Sequence, residues 1–166
     1  MTLTVETGAI VANANSYVSI ADCDSYHTLM GNATWTGTDA VKESAILRAM
    51  AWLEARPWKG IKYTYDQSLS WPRSSAVDID GYTIEVDEVP NGVVKALCEA
   101  ALLELVTPGS LRPSLERGGM VTSFTLVGVV SESYSGGAPA ETVHYTLTGP
   151  LKGLLKSSNQ IQVQLA

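Results

Sequence analysis

Between Val93 and Val106 the only charged side chains are Lys95, Glu99 and Glu104, and Ala, Leu, Val and Cys fill every other position. A helix apolar on nearly every face cannot lie on a surface in water. It must be central in its fold or covered by a neighbouring subunit. Pro90 is expected at or near its first helical position, and Pro108-Gly109 ends it. In a chain of 166 residues one such helix is enough to organise a single domain. A compact fold of that size buries roughly 70% of the unfolded chain's surface.

Two earlier helices fit around it. Ser19-Ile20-Ala21-Asp22 has the spacing of a capping box with Asp in place of the usual Glu. Ile20, Cys23, Tyr26 or His27, and Met30 then recur at helical spacing until Gly31-Asn32, which predicts a helix over 20–30. Thr38 is the next cap, and Asp39 sits favourably in the first turn. Val41, Ala45, Ala49 and Trp52 make one apolar row and Ile46, Met50 and Leu53 the next, so a second helix is expected over 39–55, closed by Pro57.

Residues 1–18 read as an extended N-terminal arm. From Pro57 to Val89 periodicity is lost in a long loop containing Trp58, Tyr63, Tyr65, Trp71 and Tyr82, with a short strand expected over 82–86. A loop of that length in a small domain is usually functional or packed by its own aromatics. Met120 to Tyr134 reads as a β-hairpin with strands 120–126 and 129–134 about Val127-Gly128. A short helix is expected over 150–157. The last residues, Gln160-Ile161-Gln162-Val163-Gln164-Leu165, alternate apolar and polar side chains without charge, as a strand awaiting a partner would. The fold class is mainly α within α+β. It comprises a bundle of three to four helices with a hairpin, a long aromatic loop and extended N- and C-terminal arms, residues 1–157 as one domain and 158–166 as a tail.

Eleven basic residues face 17 acidic ones, for a net charge of −6. That balance argues against electrostatic capture of nucleic acid as the main function. Cys23 and Cys98 lie far apart in sequence among apolar neighbours, so neither a disulfide framework nor a zinc site is expected, and a reducing compartment fits. The first Lys or Arg is Lys42, which fits no secretory signal, and no window approaches a membrane span.

The search for chemistry returns structural readings. Cys23, Asp24 and His27 share a helix face, but no second ligand cluster follows. His27 and His144 are the only histidines, and no Gly-x-Ser-x-Gly elbow accompanies them. Asp78-x-Asp80-Gly81 resembles part of a calcium loop, but Ala76 occupies the first ligand position, so an Asp-Gly turn is expected. Gly118-Gly119 lacks the companions of a phosphate loop. Asp87-Glu88 suits a helix N-terminus better than acid–base catalysis. No enzyme, metal or cofactor is expected.

Two strings carry more than composition. Ala14-Asn15-Ser16-Tyr17-Val18 leads into the first helix, and Gln67-Ser68-Leu69-Ser70-Trp71-Pro72-Arg73 is followed by Asp80-Gly81 and Val89-Pro90. With the Glu116-Arg117-Gly118-Gly119 turn, they give a sequence that resembles the head-to-tail adaptor (connector or head-completion) proteins of tailed bacteriophages. Within these it is most similar to a branch labelled DnaT-like single-strand DNA-binding. The resemblance spans residues 5–157.

It implies a structural protein of the virion neck, assembled in the host cytoplasm as a ring of about twelve copies. The expected partners are other copies of itself, the portal protein, and a stopper or tail-terminator protein. Duplex DNA would pass through the lumen without sequence-specific binding, and no membrane is involved. The tail Gln160–Leu165 is expected to dock on the portal or a neighbouring subunit. The loop residues Gln67, Leu69, Trp71, Pro72 and Arg73 are expected to be structural or to lie at the subunit interface. The alternative is a single-stranded DNA-binding module stacking bases on Trp58, Tyr63, Tyr65 and Trp71.

Overall fold

A computed structural model of the chain describes residues 2–112, 124–126, 130–132 and 145–156. Its helices are α1 (Ile20–Met30), α2 (Asp39–Glu54), α3 (Asn91–Val106) and α4 (Tyr145–Thr148). The apolar helix α3 is the centre: Val93, Ala96, Leu97, Cys98, Ala100 and Ala101 are all buried. α2 is its principal partner, and α1 and α4 also pack against it. The resulting core takes Ile46, Ala49, Leu53, Trp52, Leu147, Leu151 and Leu154 from the surrounding elements.

The local signals explain where the helices start and stop. The Asp22 carboxylate accepts from the Ser19 N–H at 2.9 Å, and the Ser19 hydroxyl oxygen accepts from the Asp22 N–H at 3.1 Å, so the shorter acid completes the capping box. Gly31 closes α1 in the left-handed region at φ 69. Thr38 caps α2 by position, without a side-chain hydrogen bond. Pro90 is the N-cap of α3, next to the first helical position as expected, and its carbonyl accepts from Val93 and Val94.

α3 carries one buried acid, and its surroundings account for it. Glu104 accepts from Arg48 Nε at 3.0 Å, from the Gly109 N–H at 2.7 Å and from the Leu111 N–H at 3.0 Å. The carboxylate thus fastens α2 to the end of α3 and ties down the chain leaving it. A buried charge with this many donors is compensated.

Two small antiparallel sheets complete the fold. β1 (Ile61–Lys62) pairs with β2 (Arg73–Ser74) in the register Ile61 to Ser74. β3 (Phe124–Leu126) pairs with β4 (Val130–Glu132) in the register Phe124 to Glu132, inside the hairpin expected from sequence. The strand expected over 82–86 is reduced to one bridge between Val77 and Thr83, followed by a bond from the Ile84 N–H to the Ala76 carbonyl. The helix expected over 150–157 is also corrected. The helical turn comes earlier, as α4, and Gly153 at φ 88 turns the chain away. Leu154 and Lys156 then bond backbone to backbone with Lys59 and Pro57. The N-terminal stretch, expected as an extended arm, folds back on itself, with Val5 bridged to Ser16 and the Glu6 carboxylate accepting from the Gly8, Ile10 and Val11 N–H groups. His144 and the tail 158–166 lie outside the described residues.

Gly92 looks like a poor choice for the first turn of the central helix. Its reason is a close approach: a Cβ there would stand 2.3 Å from the Pro150 carbonyl oxygen. The missing side chain lets the turn after α4 press directly on α3. Gly92→Ala is therefore expected to lower stability by about 1–3 kcal/mol, read as a reduced urea midpoint with an unchanged slope.

Candidate functional site

The loop between α2 and α3 holds most of the residues singled out from sequence. Gln67 acts as a spacer inside it: its Oε1 accepts from the Thr64 N–H, and its Nε2 donates to the carbonyls of Leu69 and Pro72, all at 2.9 Å. The Trp71–Pro72 peptide is cis. Arg73 spreads its guanidinium over three carbonyl oxygens, those of Lys59 at 2.7 Å, Ser70 at 3.0 Å and Gly60 at 2.8 Å. Burial pushes the Arg73 pKa down, and the negative charge of Glu54 acts against that. Gly60 supplies one of those carbonyls at φ 68, with the space a Cβ would need filled by the Ser74 carbonyl oxygen 2.4 Å away.

The loop is fixed to the body through one phenol and one carboxylate. The Tyr17 hydroxyl donates to Glu54 Oε1 at 2.5 Å and accepts from the Trp71 N–H at 3.0 Å. Glu54 Oε2 accepts from the Ser70 N–H at 2.8 Å. Burial, and then the neighbouring Glu54 charge, hold the Tyr17 hydroxyl well above the usual phenol range, so it stays protonated. Gln67, Leu69, Trp71, Pro72 and Arg73 are all buried. Within one chain this string is a lock for the loop.

The aromatic residues divide into two groups. Trp71 is 0% exposed and Trp58 4%, and their rings meet edge-on at 5.8 Å. Neither offers a free face for stacking. Tyr65, by contrast, is 96% exposed, and Tyr63, Tyr82, Ile61 and Ile79 are also open to solvent. A second set of exposed apolar side chains, Leu29, Met30 and Val41, lies elsewhere. Val41 is in the first turns of α2, and α1 is anchored there by Asp24, whose carboxylate lies 2.7 Å from Lys42 Nζ. The loop docks at the opposite end of α2, through Glu54. The 16 residues of α2 extend about 24 Å, with these two anchors toward opposite ends.

Cys23, Asp24, His27 and Asp78, considered for metal or catalysis, all have partners within the fold. Asp24 accepts from Lys42 and from Trp35 Nε1; burial opposes its ionisation, but these bonds prevail and hold its carboxyl below the usual range. Cys23 faces Cys98 across the core, sulfur to sulfur at 3.3 Å. His27 is buried, with Nε2 3.1 Å from the Cys98 carbonyl oxygen and Nδ1 3.0 Å from Asn32 Nδ2. Since a carbonyl only accepts, Nε2 carries the proton and Nδ1 receives the Asn32 amide. His27 and Trp35 border a surface hollow of about 410 Å³ lined also by Thr28, Gly31, Asn32, Ala33 and Thr36. It holds no acid–base pair. Asp78 Oδ1 accepts from the Asp80 and Tyr82 N–H groups, the turn expected of Asp-Gly. Among the described residues no group of three His, Cys, Asp or Glu side chains could hold a metal, and no helix is long and apolar enough to cross a membrane.

Sequence reasoning missed the Cys23–Cys98 contact, the Asp24–Lys42 pair and the exposed rim of the loop. The first two depend on packing between separate helices. The third had a signal in Ile61-Lys62-Tyr63-Thr64-Tyr65, whose apolar residues alternate with polar ones.

The whole chain, residues 1–166, matches the family described as "Putative DnaT-like ssDNA binding protein", and it belongs to that family. No curated protein and no solved structure matches it.

Arg73→Lys keeps the charge and loses the fork that reaches three carbonyls, so it is expected to cost about 2 kcal/mol in urea unfolding. Tyr65→Ala, at the exposed rim, should stay within about 0.5 kcal/mol of the parent. A pH effect follows from His27. Burial lowers its pKa below 6.5, so between that value and its folded pKa the unfolded chain binds more protons than the folded one. Stability should therefore fall as pH drops through and below about 6.5, and His27→Gln should flatten that dependence in urea titrations.

Proposed function

We propose that this protein is a ring-forming head-to-tail adaptor of a tailed bacteriophage, docked on the portal in the virion neck and presenting a platform to the stopper or tail-terminator protein. The observation that carries the reading is the presence of two different sets of exposed apolar side chains, one from the end of α1 and the start of α2, the other from the loop after α2. One contains Leu29, at 88% exposure, and the other Tyr65. Two unlike patches on one subunit favour a head-to-tail contact, which closes into a ring when the rotation between copies permits. The central helix and the loop lock supply the rigid body such a ring needs. The tail Gln160–Leu165, with its alternating pattern and no charge, is assigned to portal docking by strand addition.

The second reading, single-stranded DNA binding, has the family description in its favour, together with the exposed rings of Tyr63, Tyr65 and Tyr82. Burial of Trp58 and Trp71 removes two of the four stacking platforms it would use.

Native mass spectrometry of the purified protein, with a labelled single-stranded oligonucleotide in the same tube, separates the two. The adaptor reading expects a closed ring, or a monomer that forms one on its portal, with no oligonucleotide retained. A small species carrying stoichiometric, salt-sensitive oligonucleotide would replace it with the binding module. The head-to-tail contact has its own test if the ring forms in solution. Leu29→Glu and Tyr65→Glu should each abolish the ring, and a mixture of the two should yield one-to-one dimers through the single intact interface. Two variants that stay monomeric when mixed would rule out contact between these patches. Removing residues 158–166 should leave the melting temperature unchanged and abolish portal docking.

A further inference from the structure

Cys23 in the first turn of α1 and Cys98 in the middle of α3 are both buried free thiols, and their sulfurs lie 3.3 Å apart. They are 75 residues apart in the chain, so only the packing of α1 on α3 brings them together. The two contacts beside them fix that packing. Tyr26 donates to Glu99 Oε1 at 2.8 Å, and His27 Nε2 donates to the Cys98 carbonyl at 3.1 Å. We infer that Cys23 and Cys98 form a reversible intramolecular disulfide, a redox latch between α1 and α3 that closes when the protein meets a disulfide oxidant. The inference is independent of the function proposed above.

The geometry asks little of the fold. Bond formation needs the sulfurs to close from 3.3 Å to about 2 Å, a shift within reach of side-chain rotation and small helix movement. In the reduced protein the hydrogen bond between the sulfurs, burial and the nearby acids Asp22 and Asp24 all push the Cys23 thiol up, so little thiolate exists while α1 is closed. Closure of the latch therefore requires α1 to lift locally, exposing one sulfur. That thiolate attacks a low-molecular-weight disulfide, breaking its S–S bond and releasing one small thiolate. The second cysteine, as thiolate, then attacks the mixed disulfide, forming the Cys23–Cys98 bond and releasing the other small thiolate. The two protons lost by the cysteines end on the two released thiols, and the two electrons reduce the oxidant.

Once formed, the bond joins α1 to α3 around a closed loop that contains α2 and the whole aromatic segment. It restricts the unfolded chain, so the oxidised protein should be the more stable form.

The test uses the full chain. It is refolded from urea in a buffer of reduced and oxidised glutathione, which removes burial as a kinetic obstacle, then alkylated in denaturant and weighed intact. The expected product has lost two hydrogen atoms and carries neither an alkyl group nor glutathione. Its melting temperature should rise by about 10 °C and return to the reduced value with a phosphine reductant. Cys23→Ser and Cys98→Ser should each show no such rise, and either one suffices if the other folds poorly. Starting from folded reduced protein, Tyr26→Phe should oxidise faster than the parent, because it weakens the hold of α1 on α3. Recovery of two alkylated thiols, a stable glutathione adduct or a disulfide between chains as the main refolded product would overturn the inference.

Discussion

The Tyr17 hydroxyl is the point on which the rest of the chain's irregular half depends. It donates to Glu54 at the last turn of α2 and accepts from the backbone of Trp71, so one phenol joins the N-terminal segment, the second helix and the long loop. Glu54 takes a further bond from Ser70, which orients both of its oxygens. Neither group would be worth burying alone, since an uncompensated polar group in a core costs about 1–3 kcal/mol. Together they satisfy each other and two backbone donors that no regular secondary structure could have paired. The loop is therefore held by the body, and only secondarily by its own two-residue strands.

That anchoring governs what the surface can do. With Gln67 and Arg73 satisfying loop carbonyls from inside, the segment keeps one shape while Tyr63, Tyr65 and Tyr82 remain open to solvent. The start of α2 has a different anchor, the contact of Asp24 with Lys42 and Trp35, and a second exposed set comprises Leu29 and Met30 at the end of α1 and Val41 in α2. The two anchors lie toward opposite ends of one 16-residue helix, α2.

The legible parts of this structure are those written in local chemistry. The bounds of α1 follow from Ser19, Asp22 and Gly31, and those of α2 from Thr38 and Pro57, because caps and breakers act within a turn of where they stand. The apolar run of α3 announces a central helix for the same reason. The string from Gln67 to Arg73 stands out in the sequence, but its purpose does not, because the side-chain bonds of Gln67 and Arg73 end on backbone groups whose position depends on the whole loop. Its Ser70 and Trp71 N–H groups reach partners in distant parts of the chain, Glu54 and Tyr17. The β1–β2 pair was missed because two-residue strands have no period to read. The meeting of Cys23 with Cys98 was hidden by 75 residues of intervening chain. The short helix was misplaced because Gly149-Pro150 reads as a start, while the backbone pairing of Leu154 and Lys156 with the far side of the loop overrides it.

Charge bears on which partner the exposed tyrosines can receive. The loop from Pro57 to Val89 contains Lys59, Lys62 and Arg73 against Asp66, Asp78, Asp80, Glu85, Asp87 and Glu88. Arg73 is spent on carbonyls inside the loop, and Lys62 already donates to the Gln67 carbonyl. A base stacked on Tyr65 or Tyr82 would bring its phosphates into this acidic setting, where attraction is weak and repulsion lengthens no residence time. An apolar protein surface suffers no such penalty. It can cover the tyrosine rings and leave the carboxylates at a hydrated rim, the arrangement protein interfaces generally adopt.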